Sequence, residues 1–307
     1  MSSPDGPRIV SLIPSATEIV AELGLTDRLV GRSHECDHPP GIERLPACTA
    51  PAFTSDGTSG DIDRQVSARL ENALSIYELH RDVLASLAPS HILTQDRCDV
   101  CAVTLAEVEA AAREWVGGAT QIVSLKPKRL ADVWDDIRVV GQALGVDGAP
   151  AAARCAERVG AIAERAPRGG GRVVCLEWAD PLFCSGGWLP DLVAIAGGAE
   201  AIGVAGAEAR RIGWDVLAAA EADVIVLMLC GFDLSRAAED ATLLAARPEW
   251  RALDAVAAGQ VYVTDGSHYF SRPGPRLVES AEILAEILHP GRFDFGHEGR
   301  GWRRLVA

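Results

Sequence analysis

The sequence predicts an α/β protein built as two halves on either side of a long helix. Three observations carry that prediction. Short apolar runs alternate with amphipathic stretches through the first 125 residues, a long helical pattern begins at Lys128, and a second alternating series starts after Pro167-Arg168-Gly169-Gly170-Gly171. Strand–helix alternation builds a mostly parallel sheet covered by helices, and Pro/Gly punctuation marks where one packed unit gives way to the next. The resulting division is an N-terminal α/β lobe over 1–125, an interdomain helix and its continuation over 126–168, and a C-terminal α/β lobe over 169–307.

Ile9–Ile13 reads as the first strand, followed by a helix from Pro14 to Leu23 that Gly24 stops. Ser15 and Glu18 stand three residues apart, the capping-box spacing, so Ser15 is expected to cap that helix. Leu29–Gly31 gives a second strand. The stretch from Asp37 to Gly60 is rich in Pro, Gly, Ser and Thr and reads as loop. Asp61–Ala88 is helical, as two helices; His91–Thr94 is a strand, Thr104–Val116 a helix and Thr120–Ser124 a strand. In the long helix, Leu130, Val133, Trp134, Ile137, Val140, Gly141 and Leu144 recur at helical spacing, and the pattern resumes through Ala151–Ala166. The second half offers strands at Arg172–Leu176, Val224–Leu229 and Val261–Thr264, with helices at Pro190–Ala196, Ala238–Ala246 and Pro275–Leu288.

At 307 residues each half can bury its own core. A hydrophobic fraction of 48% with 23% charged residues is that of a chain globular throughout. The net charge of −14, with no Lys/Arg stripe, argues against a nucleic-acid partner. The opening Met1–Arg8 has no basic region before its apolar stretch, which is too short for a secretion signal. No apolar run approaches the ~20 residues that span a bilayer. The expectation is a cytoplasmic chain, without membrane insertion, whose eight cysteines are mostly thiols.

Where those cysteines fall is informative. Cys36, Cys98, Cys101 and Cys230 follow short apolar runs and precede polar or Gly-containing loops. In an open parallel sheet such loops lie beyond the carboxyl ends of the strands, where ligands bind. His34, Cys36 and Asp37 share one loop, and Cys98-Asp-Val-Cys101 has the spacing that lets two sulfurs reach one ion. With Cys230 from the second half, His34, Cys36, Cys98 and Cys101 form a candidate N/S metal set suited to zinc or an iron–sulfur cluster. Competing readings are a Cys98–Cys101 redox pair, small core-filling residues, and a Cys230 packed under Phe232. Cys48, Cys155 and Cys175 read as structural, and Cys184 is undecided.

Glu177-Trp-Ala-Asp-Pro-Leu-Phe-Cys-Ser-Gly-Gly-Trp188 is an aromatic-rich loop of the second half. Trp178 and Trp188 offer flat faces suited to a macrocycle, and His268 and Tyr269 follow a strand whose end faces the same way. Ser15, at a helix start, is a candidate anion contact. No Gly-x-Ser-x-Gly elbow, His-Glu-x-x-His or phosphate-binding loop is present, so the chain is not expected to be an enzyme.

Several segments together resemble a known family. Arg8-Ile-Val-Ser-Leu-Ile-Pro-Ser-Ala-Thr-Glu18 is similar to the opening of class III substrate-binding proteins of ABC importers, which serve cobalamin and ferric siderophores. Val30-Gly-Arg-Ser-His-Glu-Cys-Asp-His-Pro39 resembles the second-strand signature of the cobalamin-binding branch. Ser124-Leu-Lys-Pro127 and the helix to Gly145 resemble the rigid interdomain helix, and Ala196-Gly-Gly198, Pro248-Glu-Trp250 and Arg272-Pro-Gly-Pro-Arg276 resemble the C-terminal lobe. The resemblance spans Arg8 to Pro290.

The resemblance implies two Rossmann-like lobes joined by a single long interdomain helix, the fold of a helical-backbone metal receptor. It implies a corrinoid such as cobalamin, or another metal complex, held between the lobes, and an ABC transporter permease as a partner. In this reading Trp178, Trp188 and Tyr269 pack on the ligand. The alternative is a thiol-ligated metal or iron–sulfur protein with a redox or trafficking role on the same fold.

Overall fold

The computed structural model describes residues 6–54, 56–71, 76–95, 104–116 and 120–305. They divide into two compact units, one drawn from 1–57, 61–127 and 132–153, the other from 58–60, 128–131 and 154–307.

The first unit is built on a parallel sheet. Its strands are β1 (Ile9–Ser11), β2 (Leu29–Arg32), β5 (His91–Gln95) and β6 (Gln121–Leu125), in the order β2-β1-β5-β6. Ile9 and Val10 are fully buried, as are Ile92 and Leu93, because helices cover the sheet and give its strands continuous apolar runs. Around it lie α1 (Pro14–Glu22), α2 (Ser59–Glu71), α3 (Arg81–Leu87) and α4 (Leu105–Ala111). Val10, Leu12, Cys48, Leu84, Ile92, Val108 and Ala111 form one buried cluster, which makes Cys48 the structural thiol expected.

Three expectations for this half need correcting. The segment 37–60 is not all loop: Ile42–Arg44 is a 3₁₀ turn, Thr49–Pro51 is strand β3, and α2 has begun by Ser59. The segment 61–88 is not purely helical, because β4 (Tyr77–Leu79) lies between α2 and α3 and pairs antiparallel with β3. Ser15 does not cap α1. The cap position is Ile13, no side chain serves there, Pro14 opens the helix, and Ser15 and Glu18 are buried in its body. Proline suits that first position because an N–H there would have no helical partner. The capping box sits on α4 instead, where Thr104 and Glu107 each accept the other's backbone N–H.

The helical stretch expected over 126–168 forms α5 (Leu130–Ala143) and its continuation α6 (Ala149–Arg165). Gly145, at φ +76°, turns the chain between them, and Val146 N–H closes the turn on the Gly141 carbonyl. Gly148 packs directly on the Ile137 carbonyl, where a Cβ would collide.

The second unit centres on parallel strands β7 (Arg172–Trp178), β11 (Val224–Leu227) and β12 (Val261–Thr264). The seven-stranded sheet runs β10-β8-β7-β11-β12-β13, with β9 also on β7; β8 (Phe183–Cys184), β9 (Ala199–Glu200), β10 (Arg210–Arg211) and β13 (Trp302–Arg304) are its short members. Helices α7 (Leu189–Ile195), α8 (Trp214–Ala219), α9 (Leu234–Ala245), α10 (Pro248–Arg251), α11 (Asp254–Ala257) and α12 (Leu277–Leu288) complete it. Two of the glutamates of α12, Glu282 and Glu286, are buried beneath the chain that follows. Glu286 accepts the backbone N–H groups of Phe295 and His297 and the Trp302 indole N–H; Glu282 accepts from Arg158 and pairs with His297.

Candidate functional site

In each unit the candidate residues gather where parallel strands end. In the first unit β1 runs between β2 and β5, so the loops that follow these strands leave from one edge of the sheet. Cys98 and Cys101 lie outside the described residues, so the Cys-x-x-Cys half of the expected metal set has no structural account here.

The loop after β2 is held by side chains. Thr49 Oγ1 donates to Ser33 Oγ at 3.1 Å and accepts the His34 backbone N–H at 3.1 Å. It also lies 2.8 Å from His34 Nδ1. With the hydroxyl proton given to Ser33, Nδ1 carries its own proton and donates it, leaving Nε2 as the acceptor nitrogen. Burial, then Arg32 and His80, push the His34 pKa down to about 4, so the ring is neutral at pH 7. The Tyr77 ring packs 5.4 Å away, and its hydroxyl donates to Glu35.

Cys36 is 1% exposed and takes the Thr17 hydroxyl at 3.0 Å. Ser15, expected to contact an anion, is 2% exposed within the first turn of α1. Among the described residues no three His, Cys, Asp or Glu side chains are placed to hold a metal ion. Burial lifts the Cys48 thiol to about 11, and burial with Glu200 beside it raises Cys175 well above the ordinary thiol value, which keeps both protonated.

In the second unit three strand ends converge. Cys230 N–H donates to the Glu177 carbonyl, tying the loop after β11 to the end of β7. Ser267 N–H donates to the Phe232 carbonyl, tying in the loop after β12. Gly266 lies so close to the Leu229 carbonyl that any side chain there would collide. On this platform Trp178 meets Phe232 edge-on at 5.2 Å, and the Arg236 guanidinium lies 3.9 Å from the Phe232 ring centre. Edge-to-face rings and a cation over a ring face are favourable geometries. Cys230 is exposed at the rim.

Trp178 also binds the chain itself. Its indole N–H donates to the Ser59 carbonyl at 3.1 Å, and the Ser59 N–H donates to Asp240 Oδ1 at 3.0 Å. Ser59 is the first residue of α2, so its N–H has no helical partner, and a carboxylate at that end also suits the helix dipole. The arrangement is incompletely satisfied. Among the described residues, Ser59 Oγ and Asp240 Oδ2 are buried without a hydrogen-bond partner. Such an oxygen costs about 1–3 kcal/mol, against about 0.5–1.5 for an ordinary hydrogen bond and ~1.5–3 for one to a charged group. The two sides of this contact nearly balance.

Trp188 was expected to present a face to ligand; it is instead 5% exposed, its indole N–H donating to the Phe270 carbonyl at 3.0 Å. Hydrophobic burial has drawn it into the core. His268 is held by Asp265, which accepts its backbone N–H at 2.8 Å and lies 2.7 Å from Nδ1. That carboxylate orients the ring and leaves Nε2 as its other nitrogen. Tyr269 is half-buried under Arg276, 4.6 Å from the ring centre, and burial raises its phenol. Phe232, Arg236, Ser59 and Asp240 were not singled out from sequence. The Phe232–Arg236 and Arg236–Asp240 spacings of four, beside a helix start capped by Asp233, mark Phe232 and Arg236 as neighbours, whereas nothing local marks the contact of Asp240 with Ser59.

Solved structures share this fold. The periplasmic vitamin B12 binding protein BtuF of Vibrio cholerae aligns at TM-score 0.62 with 20% identity, covering 92% of this chain and 96% of its own. The periplasmic heme-binding protein RhuT from Roseiflexus sp. RS-1, in apo form, aligns at 0.65 with 23% identity, covering 94% and 99%. Ceue of Helicobacter pylori, solved with Ni(II) bound, aligns at 0.63 with 18% identity, covering 95% and 86%. No curated protein matches the chain in sequence. The model of the family described as periplasmic binding protein matches residues 9–267. The chain thus belongs to the periplasmic binding protein family, whose members are substrate-binding components of ABC importers rather than enzymes.

Proposed function

We propose that the chain is a receptor for a metal complex of the corrinoid class, which it presents to an ABC transporter permease. The observation that carries this reading is the Trp178–Phe232–Arg236 cluster at the carboxyl ends of β7 and β11. A partly exposed indole backed by a buried ring and a guanidinium gives a flat, polarisable surface suited to a macrocycle and its acidic substituents. At the end of β12, Asp265 Oδ2 lies 2.7 Å from His268 Nδ1 and orients that ring. The fold is shared with proteins whose names record vitamin B12, heme and Ni(II).

The test is a titration with hydroxocobalamin, hemin and a ferric siderophore, followed by tryptophan quenching and metal analysis of the isolated complex. One equivalent of one complex should bind, and Trp178→Ala should weaken it at least about tenfold, the scale of a lost aromatic contact. Failure of all three to bind would sink the reading. Protein from its native host carrying stoichiometric iron or zinc, lost on Cys98→Ser, would favour the thiol-ligated alternative.

A further inference from the structure

The Ser59 contact points beyond ligand recognition. The segment 58–60 belongs to the second unit, although α2 continues as part of the first. Ser59 is completely buried there, held by one bond from Trp178 and one to Asp240. The preceding Gly57 sits at φ +108°, a conformation that glycine alone adopts without strain, so the chain turns sharply just before this docked helical turn. Opening would hydrate Ser59 Oγ and Asp240 Oδ2, both buried and without a partner among the described residues when docked. A contact that leaves such atoms behind is cheap to open, because water satisfies what the protein does not.

We propose that the first turn of α2, Thr58–Gly60, is a releasable latch that shields Trp178 in the ligand-free chain and is displaced when ligand takes that indole. The displacement rests on the receptor reading above; the latch does not. It implies that Trp178 becomes available through a local opening of the second unit and not through its unfolding. An arriving ligand selects the open state, so whatever weakens the latch raises apparent affinity by enlarging the competent fraction.

The experiment is hydrogen exchange of indole N–H groups in the full chain, read by NMR. Trp188 is an internal control, since its indole N–H is equally bonded to a backbone carbonyl, in the interior of the same unit. The Trp178 indole should exchange at least about a hundredfold faster than that of Trp188, with little dependence on denaturant, as local opening requires. Asp240→Ala should speed Trp178 exchange about tenfold further and leave Trp188 unchanged. Ser59→Pro provides the second variant, because proline is tolerated at the first helical position and removes the N–H given to Asp240 together with the Ser59 hydroxyl. Equal exchange of the two indoles, or no response to either variant, would overturn the latch.

A ligand arm separates the two ideas. Hydroxocobalamin or hemin should bind Ser59→Pro several-fold more tightly than the wild type. Equal affinity, with the Ser59 amide resonance unmoved on binding, would overturn displacement and leave the receptor reading intact. Binding to neither protein would remove the receptor reading, and the exchange rates would still decide the latch.

Discussion

His34 Nδ1 lies 2.8 Å from Thr49 Oγ1, whose own proton is given to Ser33 Oγ. The ring is thereby fixed in one tautomer and, through burial and the nearby Arg32 and His80, its pKa is held at about 4. The imidazole should titrate by NMR with a midpoint near 4 and remain Nδ1-protonated and neutral at pH 7. The stability consequence follows from proton counting. Between about pH 4 and 6.5 the unfolded chain binds a proton that the folded one refuses, so stability rises with pH across that window and falls as pH drops through it. His34→Gln should flatten this part of the stability curve. A midpoint close to 6.5 in the folded protein would contradict the arrangement.

Trp188 supplies a second prediction. A buried indole with a satisfied N–H contributes through packing and one hydrogen bond. Trp188→Ala should lower unfolding stability by about 3–5 kcal/mol, the usual cost of emptying a large buried aromatic. Trp188→Phe should recover part of the loss and still leave the Phe270 carbonyl without its donor. Chemical denaturation measures both. A Trp188→Ala protein of near wild-type stability with weakened ligand affinity would return Trp188 to the ligand surface.

Glu282 carries a third. Burial pushes its carboxyl up, but the hydrogen bonds from His297 and Arg158 outweigh burial and hold it below the ordinary 4.5. A carboxylate depressed in the folded state contributes stability that is fully present above its unfolded pKa and is lost as pH falls through its folded one. Glu282→Gln should therefore make the stability curve shallower below about pH 4.5, without touching the 4–6.5 slope set by His34. Thermal unfolding as a function of pH separates the two windows. An unchanged acid limb in Glu282→Gln would show that the His297 and Arg158 bonds stabilise nothing.

What the sequence revealed and what it hid divide on physical grounds. The strands β1, β5, β7, β11 and β12 were legible because both faces are covered, so their apolar runs are unbroken. The two-residue strands β8, β9 and β10 are too short to show any period, and β13 contributes one buried residue, Trp302, between arginines and the tail. The capping box read at Ser15 failed because Pro14 advanced the helix start by two positions, which puts the cap at Ile13. At the candidate site, loops after strands were found because thiols and indoles mark them. The partners of those residues were not. Ser59 and Asp240 are ordinary polar residues whose meaning comes from a contact 181 positions apart in the chain, and no local pattern records it. Burial also sorted residues that composition could not: two tryptophans of one loop read alike, yet Trp178 is partly exposed and Trp188 is core.

Gly31 offers the last prediction, since it sets β2 and with it the loop that carries His34. A Cβ at this position would lie 2.6 Å from Leu87 Cδ1, 2.9 Å from Cys48 Sγ and 3.2 Å from Val10 Cγ2. Cys48 is fully buried, so it has little room to withdraw, whereas Leu87 is the end of a flexible side chain on α3. Gly31→Ala should cost about 1–3 kcal/mol, the range for an added methyl in a packed interior. Leu87→Ala alone also destabilises, by removing contacts, but in the double variant the space it vacates accepts the new methyl. The combined loss should then be smaller than the sum by at least about 0.5 kcal/mol, a coupling expected only between groups in contact. The Nδ1-protonated state of His34 should be retained in the double variant and disturbed in Gly31→Ala alone. Strict additivity in urea denaturation, or an undisturbed His34 in the single variant, would mean that β2 yields freely and that the glycine is not what positions this loop.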